Sequence, residues 1–259
     1  VRTPIVTTLL LAAALGGCAG APGPETSPEQ LTVEVVSTLA HDPAAFTEGL
    51  EFAGDTLYES TGLAGQSMLT AGPAGGPPAT KATLPSPLFG EGVTVLGPTL
   101  WQLTWQDGVA IERDSKTLAE LRRVPYQGEG WGLCHQDGGR LVMSDGSSRL
   151  TFRDPKTFAV TGSVDVGRDQ LNELECVGGD VYANVWHTDT ILRVDAATGH
   201  VTGTIDAGQL RAKVNPADAE AVLNGIAAIP GTGEFLLTGK QWPVTFRVRF
   251  VPVSAGKHG

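Results

Sequence analysis

The side chains in this chain best suited to chemistry are carboxylates, amides and a lysine set among large aromatic residues. Glu48, Glu91, Glu129 or Trp131, Asn172 and Asn224 occupy corresponding points of five short motifs, and Trp105, Trp186 and Lys240 each end a strand-like segment further on. A carboxylate surrounded by rings loses hydration, which raises its proton affinity unless a partner neutralises it. Tuned in that way, a carboxyl can accept a proton and return it near neutral pH. Asn172 and Lys240 would supply neutral and cationic donors for a developing negative charge. The histidines His41, His135, His187, His200 and His258 show neither pair spacing nor a Ser/Asp companion, so they read as structural or exposed rather than as part of a hydrolytic triad.

Repetition explains how residues so far apart could meet. The motifs begin at Phe46-Thr47-Glu48-Gly49-Leu50, Phe89-Gly90-Glu91-Gly92-Val93, Gly128-Glu129-Gly130-Trp131-Gly132, Leu171-Asn172-Glu173-Leu174-Glu175 and Leu223-Asn224-Gly225-Ile226-Ala227. Their mean spacing of about 44 residues, with several strands per unit, is the signature of propeller blades. Within a unit, Thr99 to Trp105 leads through Asp107-Gly108 into Val109 to Arg113, and the pattern returns in Val181 to Trp186 and Thr190 to Val194. The aspartates in Asp114-Ser115-Lys116-Thr117 and Asp195-Ala196-Ala197-Thr198-Gly199 are turn residues. The expectation is an all-β fold, a five-bladed β-propeller over residues 31–253. A short helical insertion, read as a lid or rim element, comes before the last blade, at Gln209 to Lys213 and extending to Pro216–Ala221. In such a fold the start of each innermost strand faces a central channel, with Trp105, Trp186 and Lys240 at its rim.

Composition bounds the rest. The 259 residues include 34 glycines and 17 prolines, consistent with many tight turns, and carry a net charge of −10. No basic cluster is present, which argues against nucleic acid as a partner. Arg2, the apolar run Ile5 to Leu15 and the ending Leu15-Gly16-Gly17-Cys18 have the layout of a lipoprotein signal peptide over residues 1–17, with Cys18 acylated and the protein exported and membrane-anchored, or else secreted. Residues 18–30 read as a flexible tether and 254–259 as a disordered tail. Cys134 and Cys176 fit either a disulfide or two buried thiols. No CxxC or His-pair spacing suggests a structural metal.

The ordered motifs are similar to those of the plant and bacterial glutaminyl-peptide cyclotransferases. They include Phe46 to Leu50, Leu88 to Val95, Leu103-Thr104-Trp105, Gly128 to Leu133, Ser144-Asp145-Gly146-Ser147, Leu171 to Glu175, Ala183-Asn184-Val185-Trp186 and Leu237 to Pro243. The likeness runs from about His41 to Phe250. It implies a five-bladed propeller that converts N-terminal glutamine of peptides or proteins to pyroglutamate with loss of ammonia; a monomer is expected. No cofactor or catalytic metal is required, though a structural ion in the channel is compatible with it. The resemblance puts the acid/base on Glu91, its polar partners on Asn172 and Lys240, and the pocket on Phe46, Phe89, Trp105, Trp131 and Trp186. Where relatives usually have glutamine, this chain has Glu48, which would grip the substrate ammonium or raise the proton affinity of Glu91.

Bland readings stand beside these. The tryptophans could be inter-blade packing, Glu91 a cap for backbone N–H groups, and Lys240 a solvated loop residue. Glu129 and Glu173 are better explained as structural. Two other functions are compatible with the residues: a lactonase-type propeller hydrolase with calcium held by Glu48, Glu91, Asn172 and Asn224, and a non-catalytic propeller that binds proteins at its rim.

Overall fold

The computed structural model describes residues 27–253. The expected signal segment, Cys18 and the tail lie outside the described residues. The chain is all-β with one short helix among the described residues. After β1 (Glu29–Ala40), successive antiparallel strands are β2 (Thr47–Ala53), β3 (Thr56–Thr61), β4 (Met68–Gly72) and β5 (Thr80–Thr83), then β6 (Gly90–Leu96), β7 (Thr99–Thr104), β8 (Val109–Asp114) and β9 (Glu120–Pro125). A third set is β10 (Leu133–His135), β11 (Leu141–Met143), β12 (Arg149–Arg153) and β13 (Val160–Asp165). Each of these sets is a four-stranded sheet. The remainder forms one eight-stranded sheet from β14 (Leu171–Val177), β15 (Asp180–Val185), β16 (Thr190–Asp195), β17 (Val201–Asp206), β18 (Leu223–Ile229), β19 (Glu234–Gly239), β20 (Val244–Pro252) and β1.

Within that large sheet, β1 pairs antiparallel with β20 from Leu31↔Pro252 to Ala40↔Val244, so the beginning of the domain completes the set made by its end. It also runs parallel to β17, from Glu29↔Gly203 to Thr32↔Asp206. Glu29 and Gln30, which composition assigned to the tether, therefore belong to a strand, and Arg193 adds an ion pair to Glu29 at 3.0 Å.

Burial grades across each set. The first strands β2, β6, β14 and β18 are buried on both faces over most of their length, whereas β9 and β13 are largely exposed. Apolar layers fill the spaces between neighbouring sets. Tyr58, Leu69, Val93, Val95 and Leu100 form one, and Trp101, Leu133, Leu141 and Phe158 form another. Each fully buried leucine there contributes on the order of 2 kcal/mol from apolar burial. First strands pack against one another in chain order, β2 by β6, β6 by β10, β10 by β14 and β14 by β18, and β18 returns to β2. That approach is close enough to demand glycine: a Cβ on Gly92 would lie 2.5 Å from the Leu133 nitrogen.

The turn aspartates behave alike. Asp114, Asp154 and Asp195 each accept the backbone N–H groups two and three residues on and the hydroxyl of the following threonine. Helix α1 (Gly208–Val214) lies before β18, but the sequence-based extension to residues 216–221 does not form. Asn215 takes a left-handed conformation (φ 47°) and its N–H closes on the Arg211 carbonyl, which ends the helix just before Pro216.

Cys134 of β10 and Cys176 of β14 form a disulfide, which decides between the two alternatives left open by the sequence. It closes a loop with a sequence separation of 42. Replacing both cysteines with alanine is expected to lower the unfolding free energy by about 4 kcal/mol, as loop-closure entropy implies. Urea denaturation checks this, and a loss below about 1 kcal/mol would count against a stabilising cross-link.

Candidate active site

The residues singled out by sequence meet at one end of the inner strands, for a topological reason. In an antiparallel pair, the start of the first strand lies beside the end of the second. Phe46 and Phe89 immediately precede β2 and β6, while Trp105, Trp186 and Lys240 immediately follow β7, β15 and β19. Glu48, Glu91, Asn172 and Asn224 are each the second residue of a first strand. All four lie where the pairing register slips: between Thr47 and Gly49, Gly90 and Val93, Leu171 and Leu174, and Leu223 and Ile226. An extra residue at such a bulge is released from strict alternation and its side chain is re-aimed.

Phe46, Glu48, Phe89, Glu91, Trp105, Trp131, Asn172, Trp186, Glu220 and Lys240 line a pocket of about 210 Å³. It is smaller than the ~300–1,000 Å³ typical of drug-sized ligand sites and suits a single side chain. Its rings contact edge to face or at a tilt: Phe46 and Phe89 at 6.3 Å, Phe89 and Trp105 at 5.5 Å, Trp131 and Trp186 at 5.4 Å between centroids. Glu129 holds two of the walls, its Oε2 accepting the indole N–H of Trp105 at 2.8 Å and of Trp131 at 3.0 Å. Gly146 (φ 78°) leaves room for the Trp131 ring, which a Cβ would approach to 2.7 Å. The other two tryptophans are core residues: Trp101 donates to the Pro155 carbonyl and Trp242 to that of Ala221.

At the base of the pocket the Lys240 ammonium donates to Glu48 Oε1 at 2.7 Å and sits 4.6 Å from the Phe46 ring centroid. Asn224 donates to Glu48 Oε2 at 3.0 Å. Glu91 Oε2 and Asn172 Oδ1 are buried without a hydrogen-bond partner.

Comparison with known proteins identifies the family. Residues 9–250 match the family model described as glutamine cyclotransferase. The chain belongs to the glutamine cyclotransferase family. A glutaminyl-peptide cyclotransferase of Arabidopsis thaliana is 37% identical over 236 residues, covering 86% of this chain and 72% of that protein. The crystal structure of Myxococcus xanthus glutaminyl cyclase superposes with a TM-score of 0.82 at 40% identity, covering 88% of this chain and all of that one.

In this cyclotransferase family member, the two carboxyls of the pocket differ in environment. Burial drives Glu91 well above the usual carboxylate range, the charge of Glu48 pushes it further, and Lys240 opposes both. Burial also raises Glu48, to about 7, against the pull of Lys240 and Asn224. Because Glu48 has two donors and Glu91 Oε2 has none, a proton shared between them resides on Glu91. Glu91 Oε2 caps no backbone group. That task falls to Glu173, which accepts Leu50 N–H at 3.2 Å and Ile226 N–H at 2.8 Å.

Sequence reasoning missed Glu220. It stands at the mouth on the segment after α1, 3.7 Å from His187. Its segment lacks the repeat pattern, so no motif marked it.

Burial raises Glu129, but the bonds from Trp131, Gln106 and Trp105 outweigh that and hold it below the usual range. It is therefore an ionised acceptor at neutral pH. Glu129→Ala is expected to free both indoles, raising their accessibility to acrylamide in fluorescence quenching while far-UV circular dichroism is unchanged. Quenching equal to wild type would show that packing alone holds the rings.

Proposed function

We propose that the chain is a glutaminyl-peptide cyclotransferase, closing the N-terminal glutamine of peptides or proteins to pyroglutamate with release of ammonia. The observation that carries this reading is that two buried atoms without hydrogen-bond partners, Glu91 Oε2 and Asn172 Oδ1, belong to residues lining one aromatic pocket sized for one side chain. Family membership and the 37% identical Arabidopsis protein support the same activity. We read the antiparallel runs, including the two within the eight-stranded sheet, as five blades of a propeller. The packing of the first strands in chain order, with β18 returning to β2, supports that count.

The reaction forms a bond between the substrate α-nitrogen and its own γ-carbonyl carbon, then breaks the bond from that carbon to the amide nitrogen. Free α-amino groups titrate near ~8, so most substrate arrives as ammonium. Glu91 takes one proton from that nitrogen before attack and returns it to the departing nitrogen, then takes the second proton that the new ring nitrogen must shed; the amide nitrogen leaves as ammonia, which carries that second proton away as ammonium. A free amine meeting protonated Glu91 has the same proton inventory. Either end of the Asn172 amide is available to the substrate. Lys240 gives one of its three ammonium hydrogens to Glu48 and keeps others for the oxyanion. The aromatic walls hold the glutamine side chain folded, with its amine near its own carbonyl. The proposed steps draw on Glu91, Asn172 and Lys240 alone.

We further propose export, with Cys18 as the lipidation site. The N-terminal composition supports this, and the Cys134–Cys176 disulfide suits an oxidising compartment.

Ammonia release from Gln-Ala is the direct assay. Glu91→Gln is expected to lose at least 10²-fold in kcat with an unchanged Tm, since it removes the proton carrier but keeps the shape. Retained turnover would refute the assignment of the base. Glu48→Gln takes away a negative charge that raises Glu91 and frees Lys240 to lower it, so the acid limb of the kcat/KM profile should move to lower pH. An unmoved limb would mean that Glu48 does not act on the base.

A further inference from the structure

A second cavity, of about 420 Å³, borders the same segments, and its lining includes His41, Asp42, Glu59 and Thr61. The His41 ring is nearly buried, with 8% of its side chain exposed. Its Nδ1 lies 2.6 Å from the Trp242 carbonyl oxygen and its Nε2 lies 2.8 Å from Glu59 Oε1. The same Glu59 oxygen accepts the Thr47 hydroxyl at 2.7 Å. A carbonyl can only accept, so Nδ1 carries a hydrogen. Nε2 then faces a carboxylate oxygen, and a neutral ring against an ionised carboxylate would oppose two lone pairs. One additional proton must sit between them, on the ring or on the carboxyl.

We propose that His41 is a positioning residue: with that additional proton, the His41–Glu59 unit clamps the Thr47-Glu48 segment to the Lys240–Trp242 loop and so fixes the Glu48–Lys240 pair beneath Glu91. Thr47 precedes Glu48, and Trp242 lies two residues beyond Lys240, so both halves of the ion pair are tied to the same carboxyl. Backbone bonds run alongside, from His41 N–H to the Pro243 carbonyl at 3.1 Å and from Gln241 N–H to that of Ala45 at 2.7 Å. Between the loop's two anchors, Gln241 is held at φ 59°, a conformation that needs its surroundings to persist.

The charged groups facing the ring are Glu59 from β3 and Asp42 from its own turn; they are the other charged residues lining this cavity. Burial pushes the His41 ring down, but Glu59, the Trp242 carbonyl and Asp42 outweigh it and hold it above the usual histidine value. A raised histidine contributes its full stabilisation below the unfolded value near ~6.5 and loses it as pH rises through the folded value. The clamp is therefore closed on the acid side of the ring's raised value and opens as pH rises through it.

The proposal rests on the cyclotransferase reading only for its rate measurement. Ring-nitrogen NMR of the whole chain, with His41 assigned by its loss in His41→Gln, should show both His41 nitrogens protonated at pH 7. In Glu59→Gln the amide can donate to Nε2, so the ring should be neutral at pH 7 while kcat stays within about threefold of wild type. That variant's Tm should also fall less than wild type as pH rises from neutral. His41→Ala is expected to lower kcat for Gln-Ala about tenfold with little change in KM, because Lys240 is loosened while the aromatic walls remain. A neutral wild-type ring at pH 7, equal Tm slopes in the two proteins, or an unchanged kcat in a folded His41→Ala would each overturn the clamp. Should His41→Ala fail to fold, the ring protonation and the Tm slopes decide. Turnover retained by Glu91→Gln refutes the assignment of the base and leaves the ring measurement intact.

Discussion

Where the first strands crowd together, backbone N–H groups on the sides facing their neighbours have no partner within their own sheet. Unpaired and buried, each would cost roughly 1–3 kcal/mol. Buried side chains meet this need by crossing from set to set. Glu173 on β14 takes N–H groups of β2 and β18, Glu51 on β2 takes that of Val95 on β6, and Asn184 on β15 takes that of Gly225 on β18. Ser144 completes the pattern, accepting Gly132 N–H and donating to the Asn172 carbonyl. These ties hold the strands at a separation that glycine alone permits at Gly92, and they fix the rigid floor on which the pocket stands.

The same crowding shifts the buried carboxyls. Carboxyls used as acceptors in a dry interior are forced away from their solution behaviour, and burial raises Glu173 and Glu175 as well as Glu91. What distinguishes Glu91 is its surroundings. Glu173 is satisfied by backbone donors and Glu48 by Lys240 and Asn224, whereas Glu91 Oε2 is left without a partner in a pocket that a ligand can enter. A group in that state is costly for stability and suited to proton transfer. The slipped register at the second residue of four first strands supplies the geometry, turning side chains that regular alternation would point elsewhere toward one place.

Much of this was legible because it repeats. Four of the five motif starts coincide within one residue with the starts of inner strands, while the third, at Gly128, precedes β10 by five residues; the Asp-x-x-Thr turns cap themselves by local hydrogen bonds that need no distant partner. Three of the five tryptophans were assigned to the pocket by the resemblance to the cyclotransferase motifs, since a place at a strand end fits inter-blade packing equally well. Features without a repeat escaped. Residues 216–221 have helical composition but follow a left-handed Asn215, and Glu220 among them reaches the pocket mouth. His41 lacks any nearby companion in sequence, because its partners Glu59 and Trp242 are 18 and 201 residues away.

Taken alone, the amino-acid order determined the all-β class, the spacing of the units and the residue types available for proton transfer, since these follow from local periodicity and turn chemistry. The tertiary structure decided the pairing of Cys134 with Cys176, the commitment of Glu48 to Lys240, and the isolation of Glu91. Those outcomes depend on which groups are left to face one another after the backbone has been satisfied, and that is a property of strands brought together from distant parts of the chain.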